Sequence, residues 1–363
     1  MNVAIIGSGL IGGSIGLALK KHVPGCRVTV VDQNPEAARR AVELGAADVA
    51  AESVEAAVEG RDIVFVATPV RVIPDVVRRA GEGMKDGAII TDVGSTKSHV
   101  VVEVERDSRL QRLFIGGHPM AGSEDEGVEA ARANLFDGAW WILTPTERSD
   151  PDGYRRLHQV LTTLGARVMA IDPARHDELM AIVSHVPQLT ATALMGMAAA
   201  RGEEHAGLLA LAAGGFRDMT RVAASNPDIW VDVCRDNADA ISAALGSFIE
   251  RLETLRELLK RGDEDQLRSL FTQARSSRRG LPGKTIEGDP YEVRMPVPDR
   301  PGVLAEVTTS VGDLGINIED LQISHVAEGG RGTLHLTVAG HEPATRISEA
   351  LSARGYEPTV HAL

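Results

Sequence analysis

The chain has 363 residues, 43% hydrophobic and 25% charged, an ordinary globular composition with room for two or three domains. Its formal net charge of -13 argues against a nucleic-acid partner, whose phosphates need a basic face, and against anionic membranes. Cys26 and Cys234 lie in no CxxC or Cys/His grouping with metal-ligand spacing, which fits free thiols in a reducing compartment and no metal site. No targeting segment is visible, and no apolar run in the sequence approaches the roughly 20 residues of a membrane span, so the cytoplasm is the expected compartment.

The first part alternates β-rich runs with amphipathic helical runs. Strands are expected at Val3 to Ile6, Arg27 to Val31, Asp62 to Ala67, Ala88 to Thr91, Leu113 to Gly116 and Trp140 to Leu143. Most are near-continuous apolar runs bounded by Gly, Asp or Pro, the pattern of parallel strands covered on both faces. The alternation predicts a doubly wound α/β domain over residues 1–172. Residues 173–278 read as all-helical, with Ala, Leu and Met prominent. Helices are expected from Ala174 through Pro187 to Arg201, over Gly207 to Arg221, over Pro227 to Arg261 and through Ala274. A helical second domain of this kind supplies a substrate cleft and a dimer interface. A linker follows over 279–290, its composition already changing at Ser276. From Tyr291 the period returns to two, and the order strand, helix, strand, strand, helix, strand predicts a ferredoxin-like βαββαβ module over 291–363.

Gly7-Ser8-Gly9-Leu10-Ile11-Gly12 follows the first strand directly and opens a helix. Gly7 permits the tight turn, Gly9 lets backbone approach a pyrophosphate, and Gly12 lets helix and strand pack closely. The N–H groups of Leu10 and Ile11 then face the phosphates at the helix N-terminus. Asp32 ends the second strand, where a carboxylate bonds ribose hydroxyls and repels a 2′-phosphate. The expected cofactor is NAD, a Rossmann-domain ligand.

Three further motifs sit at carboxyl ends of strands, where open α/β sheets bind ligands: Thr68-Pro69-Val70, Asp92 to Lys97, and Gly116 to Glu124. His118 is the candidate general base, since its reference pKa is near neutral; Pro119 makes its backbone extended, and the flanking glycines fit a loop passing close to a ligand. Ser95 is placed to bond the substrate hydroxyl, to orient His118, or to cap a helix. Lys97 is either a substrate contact or a solvated lysine. An anionic substrate needs local cations in so acidic a chain. Arg217 and Arg221, four apart on one expected helix face, suit a dicarboxylate. Pro187 removes a helical hydrogen bond and predicts a kink that turns His185 and Gln188 into one cleft. Trp230 reads as core or cleft wall.

Gly7 to Ser14, Asp92 to Lys97, Gly117 to Glu124, Ser184 to Pro187 and Phe216 to Trp230 together resemble the prephenate/arogenate dehydrogenases, in the family's order. The resemblance implies a nucleotide-binding domain joined to a helical dimerising domain. It implies oxidative decarboxylation of prephenate to 4-hydroxyphenylpyruvate on the way to tyrosine. It makes His118 the base on the ring hydroxyl, Ser95 its assistant, Arg221 the clamp on a substrate carboxylate, and Glu124 an active-site gate or pH-sensitive partner. Many prephenate-using members carry histidine where this chain has Gln188, which leaves arogenate open as the substrate. The C-terminal module, through Asp299 to Leu304 and Gly315 to Ile318, resembles an ACT domain. That implies a small-molecule effector, tyrosine or another aromatic amino acid, near Asp299 and Asn317. The competing readings are another dehydrogenase of the same plan and a sensor that binds NAD without turnover.

Overall fold

The computed structural model describes residues 1–123, 125–204, 207–280, 289–298, 300–325 and 331–362. Two compact units divide the chain, Met1–Glu253 and Thr254–Leu363.

The first unit is built on β1 (Asn2–Ile6), β2 (Arg27–Val31), β3 (Val49–Ala50), β4 (Ile63–Val66), β5 (Ile89–Asp92), β6 (Phe114–Pro119), β7 (Trp140–Thr144) and β8 (Arg167–Ala170). Their order in the sheet is β3-β2-β1-β4-β5-β6-β7-β8. The chain therefore reverses its winding between β1 and β4, the place where such sheets open a crevice for a ligand. The six expected strands are present, and the structure adds β3 and β8. β3 has two residues and β8 is largely exposed, so neither carries the apolar run that marks a buried strand. The expected parallel arrangement also needs one correction: β7 pairs antiparallel with β6, while β8 is parallel to β7.

The alternation along β1 explains why both faces of the sheet are covered. Val3 and Ile5 pack with Val28, Val30, Ile63 and Phe65 on one face. Ala4 and Ile6 pack with Val64, Val66, Val77 and Ile90 on the other. Period-two side chains with apolar residues at both parities leave no face for water, so helices must cover each.

From Pro173 to Glu253 the unit is helical, with three departures from the expected elements. The stretch expected as one kinked helix is Pro173–Met180, a π-helical turn over Ala181–His185, and Val186–Glu204. Pro187 has no N–H to give, and the wider turn just before it takes up the missing bond. Gly207 to Arg221 is not one helix: the α-helix is Gly214–Thr220, flanked by 3-10 turns at Leu209–Leu211 and Arg221–Ala224. The paired glycines 214 and 215 weaken helix propensity where the break falls. Pro227 to Arg261 is two helices, Pro227–Asp236 and Ala238–Arg261, parted at Asn237. Residues Pro173–Gly202 are also long and apolar enough to cross a membrane by length and hydropathy, contrary to the sequence expectation. The same stretch buries His176, Asp177, His185 and Gln188, which ties it to protein partners.

In the second unit the helix Glu264–Arg279 runs past the start of the expected linker. Beyond it, β9 (Pro290–Pro298), β10 (Asp320–His325), β11 (Arg331–Ala339) and β12 (Thr359–Ala362) form an antiparallel sheet in the order β10-β11-β9-β12. Helices Val303–Asp313 and His341–Ser352 complete the expected βαββαβ order. Val293, Met295 and Val297 alternate inward along β9 and meet Leu334, Leu336, Val307 and Ile347 in a separate core. Strand β10 starts later than expected, because 316–319 precede the ladder. The first pair with β11 is Asp320↔Thr337.

Candidate active site

Gly7 leaves β1 with φ +99, and its N–H donates to Val31 O at 2.8 Å. A Cβ at Gly7 would stand 2.4 Å from Ala67 O, and one at Gly12 1.9 Å from Gly7 O. Both glycines are therefore demanded by packing. Gly9 differs: a Cβ there meets nothing within 4 Å. Gly9 is the N-cap of helix Leu10–His22, which has no side-chain cap and no acidic residue in its first turn. Uncapped N–H groups beside open space make an anion cradle, so these residues fit the pyrophosphate of a dinucleotide. Asp32 sits at the end of β2. Its Oδ2 accepts from Ser8 N at 2.7 Å and Ser8 Oγ at 2.9 Å, and its Oδ1 from Asn34 N at 2.9 Å. The carboxylate is half-buried and aimed at the glycine turn, where a ribose would lie. Thr68 Oγ1, after β4, is buried with no hydrogen-bond partner among the described residues; Pro69 follows it on the surface. A Gly9→Ala variant is expected to weaken NAD binding while leaving the urea midpoint near that of the parent. Gly12→Ala is expected to lower the midpoint itself, by an overpacking cost of about 1–3 kcal/mol.

The strand ends β5 and β6 bring the reacting groups together. Asp92, fully buried, accepts from Gly94 N at 2.8 Å and Gly117 N at 3.1 Å. Its remaining partner is the Lys97 ammonium, also fully buried. The solvated reading of Lys97 is thereby excluded: the loop 92–97 folds back and the lysine is committed to Asp92. Burial pulls the Lys97 pKa below its ordinary value against the attraction of Asp92 and Asp177.

His118 lies within β6, paired opposite Ile142, not in the expected loop. The flanking glycines serve strand packing. A Cβ at Gly116 would stand 2.3 Å from Thr144 Oγ1, and one at Gly117 2.6 Å from Asp92 O. His118 Nδ1 is 2.9 Å from His176 Nε2, and His176 Nδ1 is 2.8 Å from Asp177 Oδ1. Desolvation holds the His118 pKa well below the usual histidine value, and neighbouring His176, Lys97 and His185 lower it further. A base must be neutral to work, so this shift extends its useful range toward acid pH. Ser95 is half-buried in the bend before helix Ser98–Val104, whose N-cap is Lys97; the capping reading of Ser95 is not realised. The cap comes from far away: Asp177 Oδ1 accepts from Lys97 N and Oδ2 from Ser98 N, each at 2.8 Å. Burial raises the Asp177 pKa, but the bonds from His176, Ser98 and Lys97 outweigh it and hold the carboxyl below its usual value.

His185 and Gln188 are both buried on the helical segment. His185 Nδ1 is 3.2 Å from Asn237 Nδ2, and Asn237 Nδ2 also donates to Asp177 O at 2.8 Å. Asn237 Nδ2 can only donate, so His185 Nδ1 accepts and the ring carries its proton on Nε2, which is buried without a partner among the described residues. Trp230 stands edge-on to the His185 ring, centroids 6.0 Å apart. Burial brings the His185 pKa down to about 4, against the raising effect of Asp177. The sign follows directly. The folded pKa lies below the unfolded value of about 6.5, so the unfolded chain takes up the proton first and stability falls as pH drops from 6.5 toward 4. Urea titrations at pH 7.5 and 4.5 are expected to show about 2–3 kcal/mol less acid loss in His185→Gln than in the parent.

The helical break places Arg217 and Arg221 on separate elements, Gly214–Thr220 and the turn after it, and both are exposed. Arg217 Nε donates to Ala212 O at 3.1 Å. Asn317 is exposed and bonds Glu319 at 2.8 Å. The roles expected of Glu124 and Asp299 lie outside the described residues. The sequence reading passed over His176, Asp177 and Asn237. The adjacent His-Asp pair just inside a capped helix start was the one available signal.

Comparison with known proteins bears on the fold and the family. The prephenate dehydrogenase nucleotide-binding domain matches residues 15–170, its dimerization domain 172–273, and an ACT domain 291–355. Prephenate dehydrogenase of Bacillus subtilis is 34% identical, over 99% of this chain and 98% of its own. The crystal structure of prephenate dehydrogenase from A. aeolicus, in complex with hydroxyphenyl propionate and NAD+, superposes with a TM-score of 0.73 at 32% identity. It covers 78% of this chain and 98% of that one. Synechocystis arogenate dehydrogenase gives a TM-score of 0.66 at 32% identity, over 77% and 99%. With the glycine turn, Asp32 and the His118 strand end in one unit, and a curated relative matching from end to end, the chain belongs to the prephenate dehydrogenase family.

Proposed function

We propose that the protein oxidatively decarboxylates prephenate to 4-hydroxyphenylpyruvate, in the cytoplasm, as the NAD-dependent step of tyrosine biosynthesis. The observation that carries this reading is His118 at the end of β6. It is half-buried, burial favours its neutral ring, and its Nδ1 lies 2.9 Å from His176 Nε2. The Gly9 cradle and Asp32 would hold NAD, which would supply the hydride acceptor for the ring carbon bearing the hydroxyl. His118 takes the hydroxyl proton, and Ser95 assists it. Loss of the ring carboxylate as carbon dioxide makes the ring aromatic, so the chain has mainly to position the substrate and hold the proton. Arg221, with Arg217, meets the substrate carboxylates bidentately. His185 offers a neutral Nε2–H donor.

Gln188 supports a second reading, arogenate as substrate. It is buried on the helix of His185, its amide both donates and accepts, and the Synechocystis arogenate dehydrogenase shares this fold at 32% identity. Exposed Ile182, Val183, Met197, Leu211 and Met219 on the helical segment support assembly as a homodimer. The domain division at 172, 278 and 290 then separates cofactor, dimerising and regulatory functions, with an aromatic amino acid as effector near Asn317. Steady-state kcat/KM for prephenate and for arogenate, each with and without tyrosine, tests the reading. Preference for prephenate with tyrosine inhibition is expected. Turnover of arogenate alone favours the second reading, and no response to tyrosine overturns the feedback role.

A further inference from the structure

A general base needs one ring nitrogen with a free lone pair, and nothing intrinsic to histidine decides which nitrogen that is. Here a chain of three groups decides it. The Asp177 carboxylate is ionised and can only accept. Two of its acceptor positions are filled by Lys97 N and Ser98 N, and Oδ1 also faces His176 Nδ1 at 2.8 Å. His176 therefore carries its proton on Nδ1, and neutral His176 presents a bare Nε2. That Nε2 lies 2.9 Å from His118 Nδ1, so the bond between the rings forms only if His118 donates from Nδ1. The consequence is a bare Nε2 on His118.

We propose that His176, held by Asp177, is a positioning residue that fixes His118 in the Nδ1–H tautomer and so presents Nε2 as the proton acceptor; this rests on the reading of His118 as the base. Burial makes the device rigid. His176 is 0% exposed and Asp177 3%. Asp177 is also anchored to the segment entering helix Ser98–Val104 and, through its backbone carbonyl, to Asn237. The rings meet edge to face, with centroids 5.1 Å apart, so His118 is constrained in tilt as well as in protonation. No proton travels along the chain: Asp177 and His176 keep the same protons while His118 Nε2 gains one.

The test reads the tautomer directly. Protein labelled with 15N-histidine, with the His118 ring signals assigned from a His118→Asn sample, is compared with His176→Leu and His176→Gln. The parent is expected to show His118 protonated on Nδ1 without any substrate present. His176→Leu removes the acceptor, and the His118 signals are expected to move to the Nε2–H form, which isolated histidine favours. In that variant kcat is expected to fall about 10²-fold, the lower end of what a general base supplies, with KM and NAD affinity little changed. His176→Gln, whose amide oxygen accepts from Nδ1–H, is expected to restore the tautomer and part of kcat. Retained Nδ1–H in folded His176→Leu overturns the proposal, as does a tautomer switch that leaves kcat unchanged. Absence of turnover by the parent on either substrate overturns the reaction assignment instead, and the substrate-free tautomer shift still decides the part played by His176.

Discussion

Replacing His118 with asparagine is expected to lower kcat by about 10²–10⁴ while NAD binding is kept. The separation follows from geometry. His118 stands on β6 among Asp92, Lys97 and His176, whereas the anion cradle at Gly9 and the Asp32 carboxylate belong to β1 and β2. Asparagine retains a side-chain amide that can donate toward His176 Nε2, so the strand end keeps its packing, but it offers no basic nitrogen. The pH profile provides a second reading. Since His118 is held well below the ordinary histidine pKa, kcat/KM in the parent is expected to stay on its plateau below pH 6.5 and fall only in more acid solution. Stopped-flow measurement of NADH formation, with NAD affinity followed by fluorescence, checks both. Equal loss of NAD binding and rate would assign His118 to the fold instead.

Replacing Lys97 with methionine is expected to destabilise the protein by about 3–5 kcal/mol, the cost of leaving a buried charge without its partner. Lys97 and Asp92 are each 0% exposed, and the remaining partners of Asp92 are the two N–H groups of Gly94 and Gly117. Those bonds solvate the carboxylate but do not neutralise it. Replacing both, as Asp92→Asn with Lys97→Met, is expected to recover much of the loss, because the charge goes with its partner. A solvated lysine would have cost less than about 0.5 kcal/mol, so urea denaturation separates the two pictures. The placement also explains what this lysine does for the site. It holds the 92–97 loop against β6, and Lys97 N is one of the groups that fix Asp177.

What could be read from the sequence and what could not divide along contact range. The glycine turn, Asp32 and the Rossmann alternation are local: spacing along the chain and the first strand's apolar run carry them. His118 was legible because Pro119 and two glycines surround it, although the glycines turned out to serve close strand packing. His176 and Asp177 were not. They lie 58 and 59 residues beyond His118 on a helix start whose neighbours Arg175 and Glu178 form an ordinary exposed pair. Only the tertiary fold brings that helix to β6. The burial of Lys97 is not legible for a related reason: a lysine in a polar loop has no periodicity, and its burial depends on Asp92 turning back from the strand end. The helical segments failed at their breaks. The chain leaves the helix at Ala212 and Ala213, just before the Gly214-Gly215 helix start, and again at Asn237, within runs whose composition alone reads as continuous helix. The ACT-like module was read more fully, because alternation along β9 and β11 and the turn at Gly302, with φ +91, are local signals.

As a member of the prephenate dehydrogenase family, this chain couples hydride transfer to decarboxylation on a ring that becomes aromatic. The most direct test is product stoichiometry in one reaction: purified protein with limiting prephenate and excess NAD, with NADH, carbon dioxide and 4-hydroxyphenylpyruvate all quantified. One of each per prephenate consumed is expected. NADH formed without carbon dioxide, or no NADH from a folded protein that binds NAD, would contradict it.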